Sequence, residues 1–120
     1  MEHYPEELDF ISLFQCSPIK KNDKDPFSQN ESTFTFRQGN RTFKVIISPF
    51  YNRFILSVND GEEEVLYYDF QSVTNIEIVR DTRKSAQIRL FLEDDRERFL
   101  TIVDVTFKPK FKVILREIFR

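Results

Sequence analysis

The side chains that most often carry acid–base or nucleophilic chemistry are scarce in this 120-residue chain. It holds one histidine, His3, and one cysteine, Cys16. A general base must reach the proton it moves, and a thiol nucleophile works best with such a base beside it. His3 lies in an acidic N-terminal stretch and Cys16 borders a polar segment, so nothing in the pattern brings them together. Carboxylates come in runs, Glu62-Glu63-Glu64 and Glu93-Asp94-Asp95, but both runs fall in turns, where solvated charge is the ordinary outcome. The two glycines, Gly39 and Gly61, each mark a hairpin turn, which leaves no glycine-rich loop to cradle a phosphate. One Cys and one His cannot make a zinc site. These residues point to no enzyme, no metal, no cofactor and no small-molecule substrate.

Other side chains are suited to binding. Lys108, Lys112, Arg116 and Arg120 recur at four-residue spacing, with Lys110 nearby. On a helix they form a basic stripe that an acidic protein could read, or that water simply solvates. Leu8, Phe10, Ile11, Leu13 and Phe14 make an apolar cluster behind Glu6 and Glu7. Such a cluster either packs on its own domain or folds onto a partner as a docking segment. Residues 60–64 and 93–97 are acidic hairpins that could meet a basic surface or serve solubility.

The bulk numbers narrow the partner. Net charge is −2, the pI is about 5.5, and acid and base divide evenly between the two halves of the chain. A domain-wide basic footprint for nucleic acid is missing. A lone cysteine forms no internal disulfide, and no apolar run approaches the roughly 18–20 residues of a membrane-spanning helix. The acidic N-terminus lacks the basic start and apolar stretch of a signal peptide. The expected setting is intracellular, with a protein as partner and neither membrane nor nucleic acid bound directly.

The elements that must hold these residues follow from hydrophobic period. Residues 1–31 read as an N-terminal extension: the apolar cluster, then a polar linker over 16–31 with Pro18 and Pro26. From residue 32 the pattern has period two, which predicts strands. Phe34 and Phe36, then Phe43, Val45 and Ile47, flank Gly39-Asn40 as a hairpin. Further strands are expected over 53–58, 64–68, 74–79, 86–92 and 98–103. Phe107, Phe111, Ile114, Leu115, Ile118 and Phe119 then fall on one face at helical spacing, with Thr106 as N-cap and Pro109 in the first turn. The expected fold over 32–120 is mainly β (α+β): a seven-stranded antiparallel sandwich or barrel closed by one C-terminal amphipathic helix.

Seven strands and a closing helix resemble the pleckstrin-homology-like (PH-like) superfamily. The stretch YYDFQSVTNIEIVRD, residues 67–81, is similar to its passage into the fifth strand. FLTIVDVTFKPKFKVILREIF, residues 99–119, is similar to its last strand running into the helix. The resemblance implies a non-catalytic protein–protein interaction module or scaffold. It would be the N-terminal domain of a larger regulatory or chromatin-associated protein of transcription, repair or meiotic recombination, nuclear rather than cytoplasmic. The partner-binding residues would be Lys108, Lys112, Arg116 and Arg120, or the cluster Leu8 to Phe14. Two alternatives stand beside it. One is a membrane-surface adaptor reading anionic headgroups through Arg37, Arg41 and Lys44. The other is a nucleic-acid-binding β-barrel stacking bases on Tyr51, Tyr67 and Tyr68.

Overall fold

The computed structural model of the chain describes residues 1–93 and 99–119. They form two compact units, Glu6–Gln71 and a second made of Met1–Pro5 with Ser72–Arg120. Each unit is built on one open antiparallel sheet.

The first unit begins with helix α1 (Glu7–Phe14). Phe10, Leu13 and Phe14 fall at i, i+3 and i+4, so a helix presents all three on one side, and all three are buried. The helix starts where the Asp9 carboxylate accepts a hydrogen bond from the Glu6 N–H at 2.9 Å. It ends where Gln15 takes a left-handed conformation, φ 55°. The Phe10 ring lies 5.8 Å from that of Phe27 and 6.0 Å from that of Phe34. Phe14 meets Phe34 at 5.2 Å and Phe36 at 5.1 Å. Each buried aromatic contributes about 1.5–3 kcal/mol of transfer free energy, and Phe10, Leu13 and Phe14 of the apolar cluster are part of the core of their own unit.

Residues 16–31, which read as a polar linker, are tied down. Strand β1 (Ile19–Lys20) pairs antiparallel with β2 (Ser32–Gln38). Phe27 opens a short 3-10 turn, Phe27–Gln29, and is buried. Asn30 supplies the polar half of the anchor. Its Oδ1 accepts from the N–H groups of Asn22 and Glu31 at 3.2 and 3.0 Å. Its Nδ2 donates to the carbonyls of Asn22 and Asp25. A buried amide with both ends satisfied fixes a loop that periodicity cannot reveal. The sheet continues through β3 (Arg41–Ser48), β4 (Arg53–Asp60) and β5 (Glu63–Phe70), in the order β1-β2-β3-β4-β5. Phe34, Val45, Leu56 and Tyr68 lie in one row across it.

The second unit holds β6 (Val73–Asp81), β7 (Ala86–Glu93), β8 (Phe99–Lys108) and β9 (Lys112–Phe119), in that order. Ile76, Leu90 and Val103 share a register row, as do Ile88 and Val105, and these side chains are buried on one face. Arg89 and Asp104 point to the opposite face, as period two requires.

The seven expected strands are present as β2–β8, with shifted ends. The mainly β class therefore holds, but the finer architecture does not. Among the described residues there are nine strands in two open sheets of five and four, and no barrel closes. The expected C-terminal helix is strand β9, hydrogen-bonded to β8 from Phe99↔Phe119 to Thr106↔Lys112. Pro109, read as a first helical turn, lies in the connection between these strands, where its missing N–H costs no ladder bond. Residues 113–119 are apolar on both parities, which imitates a helical period. The β-branched residues Val113, Ile114 and Ile118 fit the strand better.

Candidate protein-docking edge

The four-stranded sheet has two edges, and they are treated differently. Along β6 runs the N-terminus: the Ile76 N–H donates to the His3 carbonyl at 3.0 Å, and the Glu2 N–H to the Thr74 carbonyl at 2.7 Å. His3 and Asn75 make a parallel bridge. Strand β9 has no such cover. It pairs with β8, and among the described residues no strand lies beyond it. A strand paired on one side presents a row of unused N–H and C=O groups to another chain.

The side chains of β9 make this edge sticky. Alternation sets Val113, Leu115, Glu117 and Phe119 on one face, and Lys112, Ile114, Arg116 and Ile118 on the other. Leu115 is 54% exposed and Phe119 70%; Ile114 and Ile118 are 40% and 42% exposed. Phe99, itself exposed, meets the Phe119 ring edge-on at 5.5 Å between centroids. Exposed apolar side chains on both faces of a strand with one open edge make that edge a candidate docking surface.

A charged clamp braces the strand. Asp104, in the middle of β8, is buried among the sheet's side chains. Its Oδ1 accepts from Arg89 Nε on β7 at 2.7 Å, and its Oδ2 from Arg116 Nη2 on β9 at 3.0 Å. The hydrogen bond to Asp104 raises the Arg89 guanidinium above its ordinary pKa, so this cation stays charged. One carboxylate thus holds two guanidiniums and ties the open edge to the interior strands.

At one end of this sheet, positive charge collects. The pairs Asp81↔Ala86 and Ala86↔Lys108 bring the β6–β7 and β8–β9 connections side by side. The first is a tight turn in which the Thr82 N–H donates to the Ser85 carbonyl at 2.8 Å. Arg80, Arg83 and Lys84 flank it, and Lys108, Lys110 and Lys112 flank the second. None of these six makes a salt bridge among the described residues. Asp81 is the carboxylate at that end.

The basic stripe expected on a helix is therefore redistributed. Lys112 and Arg116 share one face of β9, Lys108 ends β8, and Arg120 lies outside the described residues. Of the N-terminal cluster, Phe10, Leu13 and Phe14 are buried, Ile11 is half-buried, and Leu8 is 73% exposed. A partner could reach Leu8 and part of Ile11. The acidic run 94–97 falls outside the described residues.

The residues of the two alternative readings are split by their strands. Arg37 and Lys44 share one face, with Arg41 on the other. Tyr67 and Tyr68 are consecutive on β5 and point to opposite faces, so they form no common stacking platform. Burial pushes the Cys16 thiol above its ordinary pKa, away from the reactive thiolate. The residues that sequence reasoning missed are Ile114, Leu115, Ile118 and Phe119 as exposed side chains, and Arg89 and Asp104 as the clamp. The signal is the run of apolar residues on both parities, which equally fits a buried helix face.

No family model and no curated protein matches the sequence. The fold does have a solved counterpart. A chain of the contact-dependent growth inhibition toxin–immunity protein complex from Klebsiella pneumoniae 342 matches over 98% of this chain and 97% of its own length. The TM-score is 0.77 and the identity 15%, a likeness of fold. This overturns the PH-like resemblance, since the match spans the chain from α1 to β9. The chromatin role and the nuclear location, which the resemblance implied, are corrected with it. The counterpart comes from a bacterium, where a nuclear location has no meaning.

Proposed function

We propose that this chain is a non-catalytic, protein-binding member of a bacterial toxin–immunity pair, on the immunity side. The fold match along nearly the whole of both chains carries the reading. The immunity side is favoured because such a protein acts by occupying a partner, which needs a surface rather than a reactive group. The residue inventory agrees with this: the sole His lends its backbone to the edge of β6, and the sole Cys is held as a thiol. Strand β9 supplies the surface. A partner strand added there would gain main-chain hydrogen bonds and cover Ile114, Leu115, Ile118 and Phe119 together. Lys112 and Arg116 lie within that contact; Lys108 borders it.

Co-expression tests the reading. A toxin domain encoded at the same locus should arrest growth alone, and growth should resume when this chain is supplied, with the two proteins co-eluting as one complex. Continued arrest, with the two proteins eluting separately, would overturn it.

A further inference from the structure

The chemistry around β9 defines the segment that docks there. We infer that the β9 edge takes an acidic, extended protein segment, whose backbone adds to the sheet while its carboxylates meet the basic end. This rests on the reading of the chain as a protein-binding immunity partner and specifies the partner's docking element.

Three observations converge. The first is continuity: Lys112 is both the first residue of β9 and a member of the basic end, so the ladder edge runs directly into the cations. The second is charge imbalance. Arg80, Arg83, Lys84, Lys108, Lys110 and Lys112 have no salt bridge among the described residues, in a chain whose net charge is −2. A positive end on an acidic protein steers an acidic partner to one place and repels it elsewhere. The third is the apolar pattern. Both faces of β9 carry exposed apolar side chains, Ile114 and Ile118 on one and Leu115 and Phe119 on the other, and a protein strand with alternating side chains covers both at once. A nucleic acid could meet the cations, but its phosphates would leave the ladder groups of β9 and the Leu115 and Phe119 side chains uncovered. An acidic peptide is therefore the occupant that meets the cations, the ladder groups and the apolar side chains together, with Glu117 lying toward the end of β9 away from the cations.

The test uses the full chain and three labelled probes, read by fluorescence anisotropy at low ionic strength and after adding salt. The first probe is a synthetic peptide alternating Val and Thr with Glu. The second is the same peptide with Lys for Glu, and the third is a duplex DNA oligonucleotide. The acidic peptide should bind at least about tenfold tighter than its lysine counterpart, and salt should reduce that margin. The triple variant Lys108→Glu, Lys110→Glu, Lys112→Glu should erase it and slow association about tenfold or more at low salt. Leu115→Lys should weaken the acidic peptide without removing its salt dependence. Equal binding of the two peptides, preference for DNA, or no peptide binding would overturn the inference. Growth rescue by the triple variant as strong as by the native chain would overturn it too, while leaving the toxin–immunity reading intact. Failed rescue by the native chain, with peptide discrimination retained, would overturn that reading and leave the inference standing.

Discussion

Strands β5 and β9 each form an outer edge of their sheet, yet they are finished in opposite ways. Strand β5 begins with Glu63 and Glu64, and a register shift at Val58/Asn59 breaks its pairing with β4. Near its other end Asp69 is drawn inward by a bidentate pair with Arg53, at 2.9 and 2.6 Å. Charge at a strand end and a bulge are both devices that discourage a further strand. Strand β9 also begins with a charge, Lys112, but it has no bulge: its pairing with β8 runs through eight residues in unbroken register. Four of its apolar side chains are well exposed, and its charge next to Ile114 and Ile118, Arg116, is held by Asp104. The contrast teaches that exposure alone does not mark a docking site. Val65 and Tyr67 on β5 are 51% and 54% exposed, similar to Leu115. What differs is whether the backbone beside them is protected.

The comparison can be broken most directly from the β9 side. Charge substitution at Leu115→Lys with Ile118→Lys should lower affinity for the partner at least about 100-fold, since two apolar contacts at the centre of the interface become desolvated charges. The matching pair Val65→Lys with Tyr67→Lys on β5 should change affinity less than about threefold, because rim or remote substitutions contribute little. Isothermal titration with the toxin domain measures both, and equal losses would dissolve the distinction. The brace is next. Asp104→Ala leaves two guanidiniums without their acceptor and should cost about 2 kcal/mol of stability, read by urea denaturation. Arg116→Ala should cost less, because Arg89 keeps its bond to Asp104.

Edge protection itself can be removed. Glu63→Val with Glu64→Val should give β5 the exposed apolar character of β9 and raise self-association, seen as a concentration-dependent shift in sedimentation velocity. An unchanged sedimentation coefficient would show that the glutamates do not guard that edge. The smallest effect concerns pH. The hydrogen bonds from Arg53 hold the Asp69 carboxyl below its ordinary pKa. A depressed folded pKa contributes stability that is fully present above the unfolded value, roughly 3.9, and is lost as pH falls through the folded value. The melting-temperature gap between native chain and Asp69→Asn should therefore be small but constant above about pH 5, and should close in more acid solution.

Much of this was legible in the sequence because most strands here bury one face. Phe34 and Phe36, then Phe43, Val45 and Ile47, then Ile88, Leu90 and Leu92 recur at every second position, and that period, with turn residues between the other apolar runs, located β2–β8. The two additions failed for separate physical reasons. Strand β1 is two residues long and pairs with β2, and the loop after it is held by Asn30, whose contacts at Asn22, Asp25 and Glu31 carry no periodic signal. Strand β9 carries apolar residues on both faces, and Ile114, Leu115, Ile118 and Phe119 have the spacing of one side of a helix. The candidate site was hidden by the same ambiguity: reading 112–119 as a helix placed Ile114 and Leu115 inward and turned the most exposed apolar strand into core. Lys112 and Arg116 were singled out in either reading, because residues four apart share a face in a strand as they nearly do in a helix.

The central claim is that β9, and not β5, is the edge a protein partner uses. Amide hydrogen exchange of the full chain, alone and bound to the toxin domain of its own locus, tests this most directly. The β9 amides that face outward should exchange at least about tenfold more slowly in the complex, with those of β5 unchanged. Protection along β5, or an unprotected β9 in a stable complex, would contradict it.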